Sequence, residues 1–181
     1  MLVSLGRPAE AMESYAAALR LQPDNAALQE ETGNALMQQG RWEDAAQHYA
    51  VAGQLKPDSA RIQCALGGAL GRLGRTEEAL EHFQTAARLD PESIAAHYNL
   101  GNALFQLRRF ADAAEHYATV VRLQPEFAEA HNNLANALVQ LHRFDEAQPQ
   151  YEEALRLKPD FAAARNNLNR LQALRAGGPG R

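Results

Sequence analysis

The chain has 181 residues, of which 46% are hydrophobic and 22% are charged, so it is long enough and apolar enough to bury a core. Its 18 lysines and arginines are scattered among 22 acidic residues, which excludes the continuous basic surface that nucleic acids require. No apolar run approaches the roughly 20 residues that cross a bilayer, and the lone Cys64 excludes an internal disulfide. We therefore expect a cytoplasmic protein that neither inserts into membranes nor binds nucleic acid.

A regular spacing runs through nearly the whole chain. Prolines recur every 34 residues, at Pro23, Pro57, Pro91, Pro125 and Pro159. Alanines and aromatic residues keep the same spacing, at Ala11, Ala45, Ala79, Ala113 and Ala147 and at Tyr15, Tyr49, Phe83, Tyr117 and Tyr151. A period of this length predicts a solenoid, in which stacked units share one continuous core.

The period also predicts where each unit begins when the proline is taken as residue 32. The chain then divides into a partial unit at 1–25 with a truncated first helix, complete units at 26–59, 60–93, 94–127 and 128–161, a capping helix at 162–175, and a disordered tail at 176–181. The partial unit keeps only Leu2, Val3 and Leu5 from the apolar side of its first helix.

Each complete unit is predicted to hold two antiparallel helices of about 14 residues, helix A followed by helix B. A Gly-Arg pair or its equivalent joins them, at Gly6-Arg7, Gly40-Arg41, Gly74-Arg75, Arg108-Arg109 and His142-Arg143. Glycine supplies the left-handed backbone that closes a helix, and acidic residues follow in the first turn of helix B, where the helix dipole favours them. The proline then stops helix B, so the chain is predicted to be all-α.

Small residues in helix A are predicted to bring the two helices of a unit close together. They should face the alanines of helix B, with the aromatic residue of helix B covering the contact, and they are Gly33, Gly67, Gly101 and Ala135. Pro149 breaks the regularity. It removes the hydrogen bond to the carbonyl of Asp145 and is expected to bend the last helix B.

Asparagine recurs on one face of helix A, at Asn99, Asn133 and Asn167 (residue 6 of the unit) and at Asn34, Asn102 and Asn136 (residue 9). Residues three apart share a helix face, and stacking turns this face into a concave groove. Because a carboxamide pairs with both the N–H and the C=O of a peptide, the row suits an extended ligand. The alternative is that the asparagines bond to one another or are copies left by duplication. Tyr98 and Phe105 either contact the ligand or fill space between helices.

The histidines are not arranged as a metal site. His48, His82 and His116 recur once per unit, which places them too far apart for one ion. His97 and His131 are expected to be partly buried by packing. The sequence contains no catalytic or phosphate-binding motif, so we expect no enzyme activity, no metal and no cofactor.

The repeated residues resemble those of the tetratricopeptide repeat (TPR) family, over essentially all of Leu2–Arg175. The resemblance implies a right-handed superhelical solenoid whose concave groove binds peptides or partner helices, without catalysis. One branch of the family clamps a C-terminal carboxylate with cations and asparagines. The cations are missing here, since Tyr98, Ala163 and Asn167 stand in their places, so that clamp is not expected.

The repeats most resemble the TPR array of protein O-linked N-acetylglucosaminyltransferases, whose units follow A-x-A-H-x-N-L-[GA]-N-A-L. The matching segments are AAHYNLGNAL at Ala95–Leu104 and AEAHNNLANAL at Ala128–Leu138. In that family the residue-6 asparagines form a ladder that grips the substrate backbone, which implies this role for Asn99, Asn133 and Asn167. Residue 6 is not asparagine in the first two complete units, so the ladder is interrupted there.

We therefore expect a non-catalytic scaffold that binds an extended peptide or partner segment in the concave groove. The predicted site consists of Asn99, Asn102, Asn133, Asn136, Asn167, Tyr98 and Phe105. One alternative is the substrate-recognition region of an O-linked N-acetylglucosaminyltransferase whose catalytic domain lies outside this chain. Another is a self-assembling repeat protein that forms homo-oligomers through an apolar N-terminal edge around Leu2, Leu5 and Tyr15.

Overall fold

The computed structural model describes the backbone of residues 8–176 and the side chains of residues 12–176. This part of the chain contains no strand and ten α-helices: α1 (Pro8–Leu21), α2 (Ala26–Gln38), α3 (Trp42–Leu55), α4 (Ala60–Arg72), α5 (Thr76–Leu89), α6 (Ile94–Gln106), α7 (Phe110–Leu123), α8 (Ala128–Gln140), α9 (Phe144–Leu157) and α10 (Ala162–Ala176). The prediction of an all-α protein is confirmed. None of these ten helices is both long and apolar enough to cross a membrane.

Helices A and B alternate along the described chain. The odd-numbered helices are helix B and have 14 residues each, whereas α2, α4, α6 and α8 are helix A and have 13. Polar residues cap the start of helix A. Oδ1 of Asn25 accepts from the N–H of Leu28, and Oγ of Ser59 accepts from that of Ile62. These side chains satisfy N–H groups that have no partner inside the helix.

Some predicted features lie outside the described residues. They are the apolar residues Leu2, Val3 and Leu5 of the partial unit and residues 177–181 of the predicted tail. Ala176, predicted to begin that tail, is the last residue of α10. The capping helix is therefore one residue longer than predicted, a difference that is usual at helix ends.

The chain forms two compact units, one ending at Ala96 and the other beginning at His97. In the first unit, α1 to α5 pack each against the next helix. In the second unit, α7 to α10 do the same, and α10 also contacts α8. Buried alanine, leucine and aromatic side chains form the core of each unit, such as Leu36 in the first and Leu138 in the second.

The glycine of helix A makes room for the aromatic ring of helix B. A Cβ atom on the glycine would lie 2.6–2.7 Å from the ring in the three pairs Gly33–Tyr49, Gly67–Phe83 and Gly101–Tyr117. Such distances are shorter than any real carbon contact. The space left by the missing side chain is therefore taken by the ring, and at Gly67 the carbonyl oxygen of Ala79 also lies 3.1 Å from the Cβ position, as the predicted approach of the two helices requires.

The connections between helix A and helix B use a left-handed residue. Gly40 and Gly74 have φ angles of 73° and 77°, as predicted for a glycine that closes a helix. Arg108 and His142 adopt the same conformation with φ angles of 60° and 58°. A side chain there is strained by roughly 1 kcal/mol, so the same backbone turn forms at a higher energy in the second unit.

α9 runs without interruption from Phe144 to Leu157 although Pro149 lies inside it. The turn that precedes the proline is tied to the capping helix. Arg175 donates hydrogen bonds to Oδ1 of Asp145 at 2.6 Å and to Oε1 of Gln148 at 2.9 Å. The bend predicted at Pro149 stays a prediction.

Candidate functional site

Tyrosine hydroxyls of helix B hold the residue-9 asparagines of helix A. In the second unit, the hydroxyl of Tyr117 donates to Oδ1 of Asn102 at 2.8 Å, and that of Tyr151 donates to Oδ1 of Asn136 at 2.6 Å. Burial raises the pKa of Tyr151 to about 12 and also raises the pKa of Tyr117. Both phenols are therefore protonated at neutral pH and can serve as donors to the amides.

The residue-6 asparagines link each helix A to the preceding one. Nδ2 of Asn133, on α8, donates to Oδ1 of Asn102 at 3.2 Å and to the hydroxyl oxygen of Tyr98 at 3.1 Å, both on α6. Nδ2 of Asn167, on α10, donates to Oδ1 of Asn136, on α8, at 3.0 Å. The same type of bond thus joins α6 to α8 and α8 to α10.

A buried asparagine makes these links continuous. Oδ1 of Asn132 accepts from Nδ2 of Asn167 at 3.1 Å, and Nδ2 of Asn132 donates to Oδ1 of Asn133 at 3.1 Å. We call this set the amide network, and its members are Asn102, Asn132, Asn133, Asn136 and Asn167. Of the two alternatives left open by the sequence, bonding between the asparagines is therefore present in the folded chain.

The amide network fixes which polar groups remain for a ligand. Oδ1 of Asn136 accepts two hydrogen bonds, so Nδ2 of Asn136 is left to donate. Nδ2 of Asn167 donates two, so Oδ1 of Asn167 is left to accept. Neither group has a protein partner among residues 12–176. A donor and an acceptor on neighbouring helices match the C=O and N–H of a peptide.

Two clefts open beside these groups in the second unit. The C-terminal cleft has a volume of about 320 Å³, and its lining includes Phe105, Asn136, Val139, Asn167, Arg170, Leu171 and Leu174. The central cleft has a volume of about 220 Å³ and is lined by Asn102, Phe105, Gln106, Tyr117, Asn133 and Asn136. Phe105 and Asn136 belong to both clefts and therefore form the wall between them.

Sequence comparison matches this architecture to one family. Models described as tetratricopeptide repeat match residues 2–60, 64–128, 103–140 and 128–161. The chain belongs to the tetratricopeptide repeat family. No curated protein shows significant sequence similarity to it.

Solved TPR structures have the same fold. YrrB, a TPR protein with an unusual peptide-binding site, superposes with a TM-score of 0.83 at 21% identity, over 93% of this chain and 87% of YrrB. A TPR protein from Parabacteroides merdae gives 0.83 at 22% identity, over 96% of this chain and 69% of that protein. The first TPR of Spaghetti (RPAP3), bound to an HSP90 peptide, gives 0.63 at 26% identity, over 65% of this chain and 93% of that one.

The structure brings together five of the seven predicted site residues at the TPR clefts: Asn102, Phe105, Asn133, Asn136 and Asn167. Tyr98 lines neither cleft. Its ring packs against Phe127 with centroids 4.9 Å apart and meets Tyr117 edge-on at 6.1 Å. Asn99 also lines neither cleft.

The sequence analysis missed the contribution of the capping helix. Arg170, Leu171 and Leu174 line the C-terminal cleft, although the sequence predicts this helix only as a cap. The signal was present, because Leu171 and Leu174 lie three apart and continue the face of Asn167. Leu174 is 51% exposed, so its side chain offers apolar surface to the cleft.

The TPR groove face of the first unit is built differently. Among the described residues of this unit, the hydroxyl of Tyr49 donates to Oδ1 of Asn34 at 2.7 Å. The carboxylate of Glu30 is only 3% exposed and forms an ion pair with Arg61, on the next helix A. The residues described in this unit therefore join α2 to α4 by charge rather than by an amide network.

A second set of hydrogen bonds joins the helices within each TPR. It pairs residue 4 of helix A with residue 23 of helix B, and the pairs are Gln29–His48 (2.7 Å), Gln63–His82 (2.8 Å), His97–His116 (3.0 Å) and His131–Gln150 (2.8 Å). These contacts give the histidines a packing role. Within the described residues there is no group of three or more metal-ligating side chains.

Proposed function

We propose that the second unit of this TPR protein binds an extended peptide segment from a protein partner. The peptide backbone pairs with Nδ2 of Asn136 and Oδ1 of Asn167, and its side chains enter the clefts on the two sides of Phe105. The single observation that carries the proposal is that Nδ2 of Asn136 and Oδ1 of Asn167, which have no protein partner among the described residues, both line the C-terminal cleft.

The energetics of the network support this role. An amide whose partner positions are already bonded is held in one orientation, so a ligand does not have to immobilise it on binding. Asn136 is held by Tyr151 and Asn167, and those bonds leave its donor fixed toward the clefts. Preorganised polar groups beside apolar walls are the usual composition of a ligand site.

The related structures support the same class of ligand, since YrrB has a peptide-binding site and the first TPR of Spaghetti was solved with a peptide. We infer a scaffold without catalytic chemistry. The narrower likeness to O-linked N-acetylglucosaminyltransferase repeats rests on Ala95–Leu104 and Ala128–Leu138 alone. That likeness would extend the proposed function to the presentation of a polypeptide substrate, which the same asparagines would hold in the same groove.

The proposal is tested by selecting short random peptides, displayed within a carrier protein, on the full chain. Binding of the selected peptides is then measured by fluorescence anisotropy to wild type, Phe105→Ala and Phe161→Ala. Phe161 is a matched control because it belongs to the second unit, is half-buried like Phe105 and lines neither cleft.

We expect Phe105→Ala to weaken binding by roughly tenfold or more, as for the loss of an aromatic anchor, and Phe161→Ala to leave it unchanged. Circular dichroism checks that both variants keep wild-type helicity. Peptides that bind Phe105→Ala as tightly as wild type, or a selection that yields none, would overturn the proposal.

A further inference from the structure

The groove helices of the second unit carry almost no charge before the capping helix. α6 contains no Asp, Glu, Lys or Arg, and α8 contains only Glu129. Glu129 accepts a hydrogen bond from Nζ of Lys158 at 2.9 Å, and this bond lowers the pKa of its carboxyl group. Neither cleft is lined by an acidic residue.

The capping helix adds three arginines, and only one of them faces a cleft without a partner. Arg165 donates to the carbonyl of Pro159, and Arg175 is bonded to α9. Arg170 lines the C-terminal cleft, is exposed, and forms no ion pair with any residue of the described chain. Its guanidinium is close enough to Tyr151 to oppose, in part, the rise that burial causes in the pKa of that phenol.

The position of Arg170 relative to the amide network limits what it can contact. It follows Asn167 by three residues, so it lies about 4.5 Å further along the axis of α10. A side chain of a peptide whose backbone is bonded to Asn167 can therefore reach the guanidinium of Arg170. Leu171 and Leu174 line the cleft beside it, so an apolar side chain fits next to the guanidinium.

We propose that the C-terminal cleft selects an internal peptide segment in which an Asp or Glu side chain, recognised by Arg170, neighbours an apolar side chain that packs on the exposed Leu174. This inference rests on the proposed function and names its partner chemistry. The carboxylate belongs to a side chain, because the backbone passes at the level of Asn136 and Asn167 and continues to the central cleft.

The test uses two libraries of short random peptides, one displayed internally and one with a free C-terminus. Both are selected on the full chain as wild type, Arg170→Gln and Arg122→Gln. Arg122 is the matched control, since it is an exposed arginine of the same unit that lines neither cleft and forms no ion pair in the described part.

We expect the internal library to enrich an acidic residue close to an apolar one on wild type and on Arg122→Gln, and to lose the acidic residue on Arg170→Gln. Peptides with that motif should bind Arg170→Gln about two- to fivefold more weakly, and added salt should narrow the difference. Replacing the acidic residue of the peptide by the corresponding amide residue should abolish this difference in binding between wild type and Arg170→Gln.

An acidic preference that persists on Arg170→Gln, or selected peptides without acidic residues, would overturn this inference and leave the proposed function standing. An acidic preference seen only with the free C-terminus would assign the site to a terminal carboxylate and also overturn it. Absence of any peptide that depends on Phe105 would instead overturn the proposed function, and this inference with it.

Discussion

The two units of this TPR protein share the packing of helix A against helix B but differ in the polar groups that join their helices. In both, a helix-A glycine lies against a helix-B aromatic ring. Where the helix-B ring is Tyr49, Tyr117 or Tyr151, an asparagine 15 residues earlier accepts a hydrogen bond from its hydroxyl. The repeat at 60–93 has Gly68 in place of the asparagine and Phe83 in place of the tyrosine. Hydroxyl and amide therefore behave as one structural element.

Successive helices A are also joined differently. The second unit uses neutral amides, whereas the first joins α2 to α4 through Glu30 and Arg61. Arg61 is 74% exposed, so this ion pair is screened by salt and contributes little beyond satisfying a buried carboxylate. The bonds of a neutral amide network are not screened in this way, so the links between helices A in the second unit depend less on ionic strength.

The largest effect is expected from disrupting the contact between the helix-A glycine and the helix-B ring, which occurs in both units. Gly101→Ala places a Cβ atom 2.7 Å from the ring of Tyr117, which is held at its hydroxyl by Asn102. We expect a loss of about 1–3 kcal/mol in the free energy of unfolding, measured with urea. Gly68→Ala is the control, since nothing lies within 4 Å of its Cβ position, and it should gain about 0.5–1 kcal/mol. Equal effects at both positions would contradict the ring-packing account.

The next prediction separates the amide network from an isolated hydroxyl–amide pair. Asn136→Ala removes the acceptor of both Tyr151 and Asn167, and we expect it to lower the free energy of unfolding by about 1–3 kcal/mol. Asn34→Ala removes the acceptor of Tyr49 alone and should have a smaller effect. Adding Tyr151→Phe to Asn136→Ala should recover part of the loss, and failure to do so would show that the hydroxyl was not left unsatisfied.

Introducing the tyrosine–asparagine pair into the repeat at 60–93 tests whether the pair also forms in the first unit. Phe83→Tyr alone adds a hydroxyl beside Gly68 with no amide to accept from it, so it should destabilise the chain. Gly68→Asn supplies that amide in open space. We expect a double-mutant cycle to give a favourable coupling of about 0.5–1.5 kcal/mol in urea unfolding. A coupling near zero would mean that the pairing does not transfer between repeats.

The smallest expected effect is on acid stability. Burial, followed by the charge of His97, lowers the pKa of His116 below its ordinary 6.5. The folded state therefore binds the proton less readily than the unfolded state, so stability is complete above about pH 6.5 and falls as the pH drops below it. His97→Gln recreates the Gln–His pair of the first unit and should make this fall shallower in thermal unfolding between pH 7 and 5. If stability falls as steeply with decreasing pH in His97→Gln as in wild type, the histidine pair is excluded as the cause.

The sequence was sufficient for the helices but not for the site. Periodic prolines and the Gly-Arg connections predict helix ends because they act on the local backbone, and Gly40 and Gly74 behave as expected. The asparagine face was also predictable. Bonding between the asparagines was one alternative that the sequence left open, but the sequence did not identify the partners, because they lie 15 or 31 residues away and no local pattern places them together. Only the repeat at 60–93, in which Gly68 replaces the asparagine and Phe83 replaces the tyrosine, indicated that these two side chains are paired.

The C-terminal cleft was missed for a different reason. Arg170 and Leu174 lie on a helix that has no helix B after it in the repeat pattern, and this favoured its interpretation as a cap. The face that lines the cleft is set by residues 6, 10 and 13, and it depends on where α10 lies against α8 and α9.

The buried phenols give the protein an optical indicator of its own integrity. A phenol absorbs at longer wavelength once it ionises, and burial raises the pKa of Tyr49 and Tyr151 to about 12. The ultraviolet spectrum during an alkaline titration therefore reports whether these hydroxyls are still enclosed by their repeats. Tyr49→Phe and Tyr151→Phe assign the two signals, so the opening of each unit can be followed without any added dye.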